Sequence, residues 1–147
     1  MVKFHQTLSD RSVYLRYFCS LSLSSRVAHE RLSRICFVDY DREMALVADQ
    51  KDQATGQHRI VGVGRLIKLH ARNQAEVAVL VSDQCQRRGL GTQLLSRLVQ
   101  VARDEKLNSI SAEMLADNLG MQTIFRKLRF RLSSRLDSTS IQASLDF

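Results

Sequence analysis

The chain has 147 residues, enough for one domain (1–147) with a buried core, and its 44% apolar and 25% charged content fits a globular protein rather than a disordered or fibrous one. No apolar run approaches the roughly 20 residues of a bilayer span, and the N-terminus lacks a basic segment followed by an apolar stretch, so a cytoplasmic location is expected. The net charge of +7 implies attraction to something acidic, but the arginines are dispersed and aromatics make up only 6%, which argues against a stacking platform for nucleic acid.

In chain order, a first helix is expected from Leu8 to Phe18, where Ser9 or Asp10 is placed to cap it. A second is expected from Ser25 to Ile35, with Val27, Ala28, Leu32 and Ile35 on one face. Met44 to Ala48 reads as a strand and Asp49 to His58, polar and holding Gly56, as a hairpin loop. Ile60 to Leu69 is a longer strand whose Gly62 and Gly64 point to a bulge or a close backbone approach. Glu76 to Val81 is almost wholly apolar, as suits a strand covered on both faces, and it leads into a turn, Gln86, Arg87, Arg88, Gly89, Leu90, Gly91, Thr92, that opens a helix. Leu94, Leu95, Leu98, Val99 and Ala102 carry that helix to about Lys106. Ser109 to Leu115 alternates as a strand, and Asp117 or Asn118 caps a further helix with Met121, Ile124, Phe125 and Leu128. From Phe130 to Phe147 the chain is expected to form a short strand, a serine-rich turn and a last strand near Ser140 to Leu145. The order is that of an α/β domain built on a mixed sheet.

Cys19, Cys36 and Cys85 form no CxxC and have no histidine at zinc-like spacing; they read as buried or inert thiols, with only Cys85 close enough to the glycine turn to suggest reactivity. His5, His29, His58 and His70 are scattered, and no metal site is expected.

A glycine-rich turn at a helix start gathers free N–H groups at the positive end of the helix dipole, and the missing Cβ atoms let a phosphate approach. The spacing fits neither a Rossmann GxGxxG nor a P-loop. The sequence from Gln86 to Gly91 resembles the (Q/R)xxGx(G/A) signature of the GNAT acyltransferase superfamily, in which the anion is the diphosphate of acyl-coenzyme A. The resemblance implies a three-layer fold with a central mixed, mostly antiparallel sheet flanked by helices. It also implies acetyl-CoA as co-substrate with no metal, and a cofactor site at Gln86, Arg87, Arg88, Gly89, Leu90, Gly91 and Thr92 with backbone pairing at Val79, Leu80 and Val81. The family's first strand has no counterpart here, since Met1 lies only a few residues upstream of the first helix; a truncated or misassigned start, or a partner segment at that edge, would account for it. The segment from Asn118 to Phe130 is similar to the family's NxxxxxxYxKxGF element, which implies that Asn118 contacts coenzyme A. Phe125 stands where a tyrosine often protonates the leaving thiolate, and Arg129 replaces a common glycine.

Glu76 lies about 16 Å of extended strand before Val81, and an acidic side chain in an apolar strand is costly to bury unless it is used or paired. Burial would raise its pKa and suit it to act as general base, with Glu113 on the next strand as the rival. Residues 3 to 132 further resemble the acetyltransferase domain of bacterial protein-lysine acetyltransferases, often fused to an ADP-forming acyl-CoA-synthetase-like module. In that group a glutamate matching Glu76 is the base and an acyl-CoA synthetase is a typical protein substrate. The expected activity is therefore acetyl transfer to a protein lysine in a ternary complex, by a monomer or homodimer. The alternatives are a small amine such as a polyamine or amino acid, and a non-catalytic acyl-CoA-sensing domain. A protein substrate predicts an open, shallow acceptor groove, and a small amine a closed acidic pocket. Nucleic-acid binding rests on charge alone.

Overall fold

A computed structural model describes residues 1–69, 73–134 and 139–147; His70 and positions 135–138 of the expected serine-rich turn lie outside them. Four short helices come first: α1 (Val2–Gln6), α2 (Asp10–Tyr17), α3 (Leu23–Val27) and α4 (His29–Cys36). Ser9 caps α2, its hydroxyl accepting from the Ser12 N–H at 3.2 Å. The second expected helix is two helices, because Ala28 is extended (φ −54°, ψ 134°) and Ser22 starts α3 by accepting from the Ser25 N–H.

The sheet follows as β1 (Glu43–Lys51), β2 (His58–Leu69), β3 (Gln74–Val81), β4 (Ser109–Leu115), β5 (Arg131–Ser134) and β6 (Ser140–Asp146), with α5 (Leu90–Asp104) between β3 and β4 and α6 (Leu119–Lys127) between β4 and β5. Strand order is β1-β2-β3-β4-β6-β5, and only β3–β4 is parallel. β1 is longer than its apolar residues announce, since a register shift at Ala48/Asp49 lets the polar residues as far as Lys51 continue the ladder to His58.

One face of the sheet carries α5, which lies close on β2 at the two glycines: a Cβ at Gly62 would stand 3.0 Å from Leu94 and one at Gly64 3.2 Å from Leu98. Close approach is what both glycines serve, and the expected bulge is also present beside Gly62: Ala48 faces Gly62 and Asp49 faces Ile60, which leaves Val61 as the extra residue. Leu66, Ala75, Val77, Leu95, Leu98 and Ile110 form the main core there, joined by Phe125, which meets Phe130 edge-on at 4.8 Å. On the opposite face the N-terminal helices pack Phe4, Leu8 and Val13 against Val63. Cys85 fills a small core with Val61, Val81 and Leu94, whereas Cys19 and Cys36 are exposed, so of the buried or inert thiols expected only Cys85 is buried. Among the described residues no helix is long and apolar enough to cross a membrane.

Candidate active site

Three rungs join the parallel pair: Gln74 to Ser109, Ala75 to Ile110 and Glu76 to Ser111. Beyond them β3 continues to Val81 and β4 to Leu115 without pairing to each other, so the two strands splay and open a cleft at their carboxyl ends. The backbone alternation fixes what lines it. The Ser82 N–H donates to Val61 O at 2.9 Å and the Asn108 N–H to Asn73 O at 2.8 Å, so even-numbered residues of β3 bond β2 and odd-numbered ones turn toward β4. Val77, Val79 and Val81 thus direct N–H and C=O groups into the cleft. Leu80 directs its own to Val63, its ladder partner, so of the three residues expected to pair with a ligand the register leaves two facing it.

At the end of β3 a single 3-10 turn (Asp83–Cys85) leads into the glycine turn. Arg87 (φ 59°) and Gly89 (φ 83°) are both left-handed, which folds the chain back so that α5 starts at Leu90 with no side chain capping it. The first N–H groups of α5 therefore have no intrahelical acceptor. Nothing lies within 4 Å of a Cβ built on Gly89, whereas one on Gly91 would press to 3.3 Å from Ile124. Gly89 serves the turn and Gly91 the packing of α5 on α6. Gln86, Arg87 and Arg88 are all exposed, and the Gln86 amide ties the turn back by donating to Ser12 Oγ (3.0 Å), Val81 O (3.2 Å) and Asp83 Oδ1 (3.3 Å). Asn118 caps α6 through Oδ1, which accepts from the Met121 N–H at 3.2 Å.

Glu76 sits on the last rung before the strands part, on the face with Ala78 and Leu80 that looks toward the N-terminal helices. Its side chain is exposed, so the burial expected of it is absent: α5 covers the odd-numbered face of β3, and the helices on the other side leave this position open. Glu113 is also exposed and accepts a hydrogen bond from the Ser140 hydroxyl at 2.5 Å. Phe125 is 2% exposed and part of the core. The glycine that Arg129 replaces is explained by its φ of 66°, a conformation that costs a residue with a Cβ about 1 kcal/mol.

Between the N-terminal helices and this face of β2 and β3 lies a cavity of about 520 Å³, with Ala78 and Leu80 in its floor and Phe4, His5, Arg16 and Arg31 in its walls. The cavity is basic, not acidic. Burial pushes His5 down to about 4, with repulsion from Arg26 and Arg31 adding to it, and neither ring nitrogen has a hydrogen-bond partner. Burial also lowers the Arg16 pKa; Tyr17 and Glu76 oppose that shift, and Arg65 and Arg31 add to it. Sequence reasoning missed this group. Arg16 and Arg31 lie on different helices, and no spacing in the chain announces that both reach one cavity. Among the described residues no cluster of three histidines, cysteines or carboxylates could hold a metal.

The sequence model of the family described as acetyltransferase (GNAT) domain matches residues 2–131. Acetyltransferase PA5475 of Pseudomonas aeruginosa is 28% identical over 125 residues, covering 85% of this chain and 66% of the relative. The crystal structure of the GNAT domain of S. lividans PAT superposes with a TM-score of 0.84 at 25% identity, covering 99% of this chain and 82% of that one. A Bacillus subtilis acetyltransferase crystallised in complex with CoA shares the fold at 14% identity, with a TM-score of 0.63 and coverage of 95% and 93%. The chain spans between 50% and 66% of the length of the curated relatives it matches.

Proposed function

The chain belongs to the acetyltransferase (GNAT) domain family, and from that premise we propose that it is an acetyl-CoA-dependent N-acetyltransferase acting by direct attack, with a protein lysine as the acceptor. The observation that carries the reading is the splay of β3 from β4, which begins at Glu76 and ends at an uncapped helix start. The cleft fits acetyl-CoA: its wall offers the Val77, Val79 and Val81 backbone groups, and its end offers the N–H groups of Gly89, Leu90, Gly91 and Thr92 beside Arg87 and Arg88. Asn118, at the start of α6, is the further coenzyme A contact. Gln86 acts indirectly, holding the turn to Val81 and Ser12.

Acetyl-CoA supplies the activated acetyl thioester. Glu76 takes the proton from the incoming ammonium, and backbone N–H groups of β3 polarise the carbonyl. Phe125 is buried and has no proton to give, so a proton reaches the departing thiolate from water. The lysine acceptor rests on the sequence resemblance over residues 3 to 132, and an acyl-CoA synthetase is the protein substrate it suggests. A small-amine acceptor is the second reading, favoured by the cavity next to Glu76; its arginines count against a polyamine.

Calorimetric titration of acetyl-CoA, followed by thiol release with an acyl-CoA synthetase or an amino acid as acceptor, tests the proposal. Binding with release of thiol is the expected result. Binding without release to either acceptor would favour a sensing domain, and absence of binding would overturn the cleft assignment.

A further inference from the structure

The arginines of the cavity are not equivalent. Arg65 pairs with Glu43 and donates to Ile35 O, and Arg34 pairs with Glu30 at 2.7 Å. Arg16 and Arg31 have no carboxylate within 4 Å among the described residues. Their guanidinium carbons instead lie 5.2 and 4.8 Å from the centre of the Tyr17 ring, and Arg31 Nε is buried with no hydrogen-bond partner. Two like charges brought together in a half-buried cavity are unfavourable unless an anion joins them. Cation–π attraction to one ring offsets only part of that cost. His5, neutral and unpartnered in the same wall, offers a further donor.

We propose that this cavity binds a carboxylate carried by the acceptor amine, held between Arg16 and Arg31. The inference rests on the acetyl-transfer reading and names its substrate class. A guanidinium matches a carboxylate with two parallel hydrogen bonds, and two of them converging on one carboxylate would fix both its position and its plane. The floor of the cavity places the other end of the acceptor. Ala78 lies in that floor and Glu76 is the next residue of β3 on the same face, about 7 Å along the strand. A carboxylate at Arg16 and Arg31 therefore leaves an amine a few bonds away within reach of Glu76, whose charge already acts on Arg16. Free amino acids present this chemistry, and so does a lysine beside an acidic residue in a peptide.

Matched acceptors test it by thiol release: phenylalanine against phenethylamine and lysine against cadaverine in one arm, and lysine peptides flanked by glutamate against the same peptides with glutamine in the other. The expected result is a preference of at least tenfold in kcat/KM for the carboxylate member. The arm that yields it identifies the source. Arg16→Gln and Arg31→Gln should each abolish the preference by raising KM, with Arg16→Lys retaining part of it and acetyl-CoA affinity unchanged in all three. Equal rates within every pair, a preference that survives both substitutions, or a loss of acetyl-CoA affinity would overturn the assignment. A second measurement needs no turnover. Glutarate, but not glutaramide, should raise the Tm of the wild type and of neither Gln variant, and an equal response to both compounds would overturn the site. If acetyl-CoA itself fails to bind, the transferase reading falls, while the glutarate shift still reports on the cavity.

Discussion

Glu76 occupies the last rung of the β3–β4 ladder, opposite Ser111, and its position, not its burial, is what supports the role proposed for it. Its candidacy was legible because one carboxylate interrupts an apolar strand. Its exposure was not, because alternation assigns a side chain to a face without saying what covers that face. Glu76→Gln removes the proposed proton acceptor while keeping the shape, so turnover should fall about 10²-fold or more with acetyl-CoA affinity unchanged. Steady-state kinetics beside calorimetric titration separates the two effects, and wild-type turnover would remove Glu76 from the mechanism. Arg129 makes a related point: its place in a recognisable motif was evident from sequence, and the φ of 66° explains why glycine is common there.

At the scale of elements, the glycine turn divides its labour. Gly89 holds a φ of 83° in open space, so replacing it costs backbone conformation and not a clash. Gly89→Val asks a β-branched residue to enter the left-handed region, which should displace the first N–H groups of α5 and weaken acetyl-CoA binding by at least about tenfold. Calorimetry giving wild-type affinity for that variant would refute the turn as the diphosphate site. The two long helices were readable from a period of 3.6, β4 from alternation and β3 from an unbroken apolar run, while residue type narrowed each cap to a pair, Ser9 or Asp10 and Asp117 or Asn118, of which the structure uses Ser9 and Asn118. The break at Ala28 and the helix α1 were not, since short helices depend on what they pack against more than on propensity.

Over the whole molecule, the N-terminal helices form a third layer whose burial of His5 has a global consequence. The imidazole of the unfolded chain takes up a proton below about pH 6.5, whereas in the fold it stays neutral down to about 4. Protons therefore favour the unfolded chain between these values. The contribution of His5 is intact above about pH 6.5 and lost as pH falls toward 4, to the extent of about 3 kcal/mol. Urea midpoints measured at pH 7 and pH 4.5 should differ more for the wild type than for His5→Leu; equal differences would show that His5 is not the group responsible. Sequence alone determined the α/β order, the glycine turn at a helix start and the carboxylate in the strand before it, because each is set by residues adjacent in the chain or spaced at a structural period. Tertiary structure decided the length of the parallel ladder before it splays, the exposure of Glu76, and the meeting of Arg16 with Arg31 around Tyr17. These depend on how separate elements pack, and the basic cavity proposed to select the acceptor's chemistry arises only where the N-terminal helices close over the sheet.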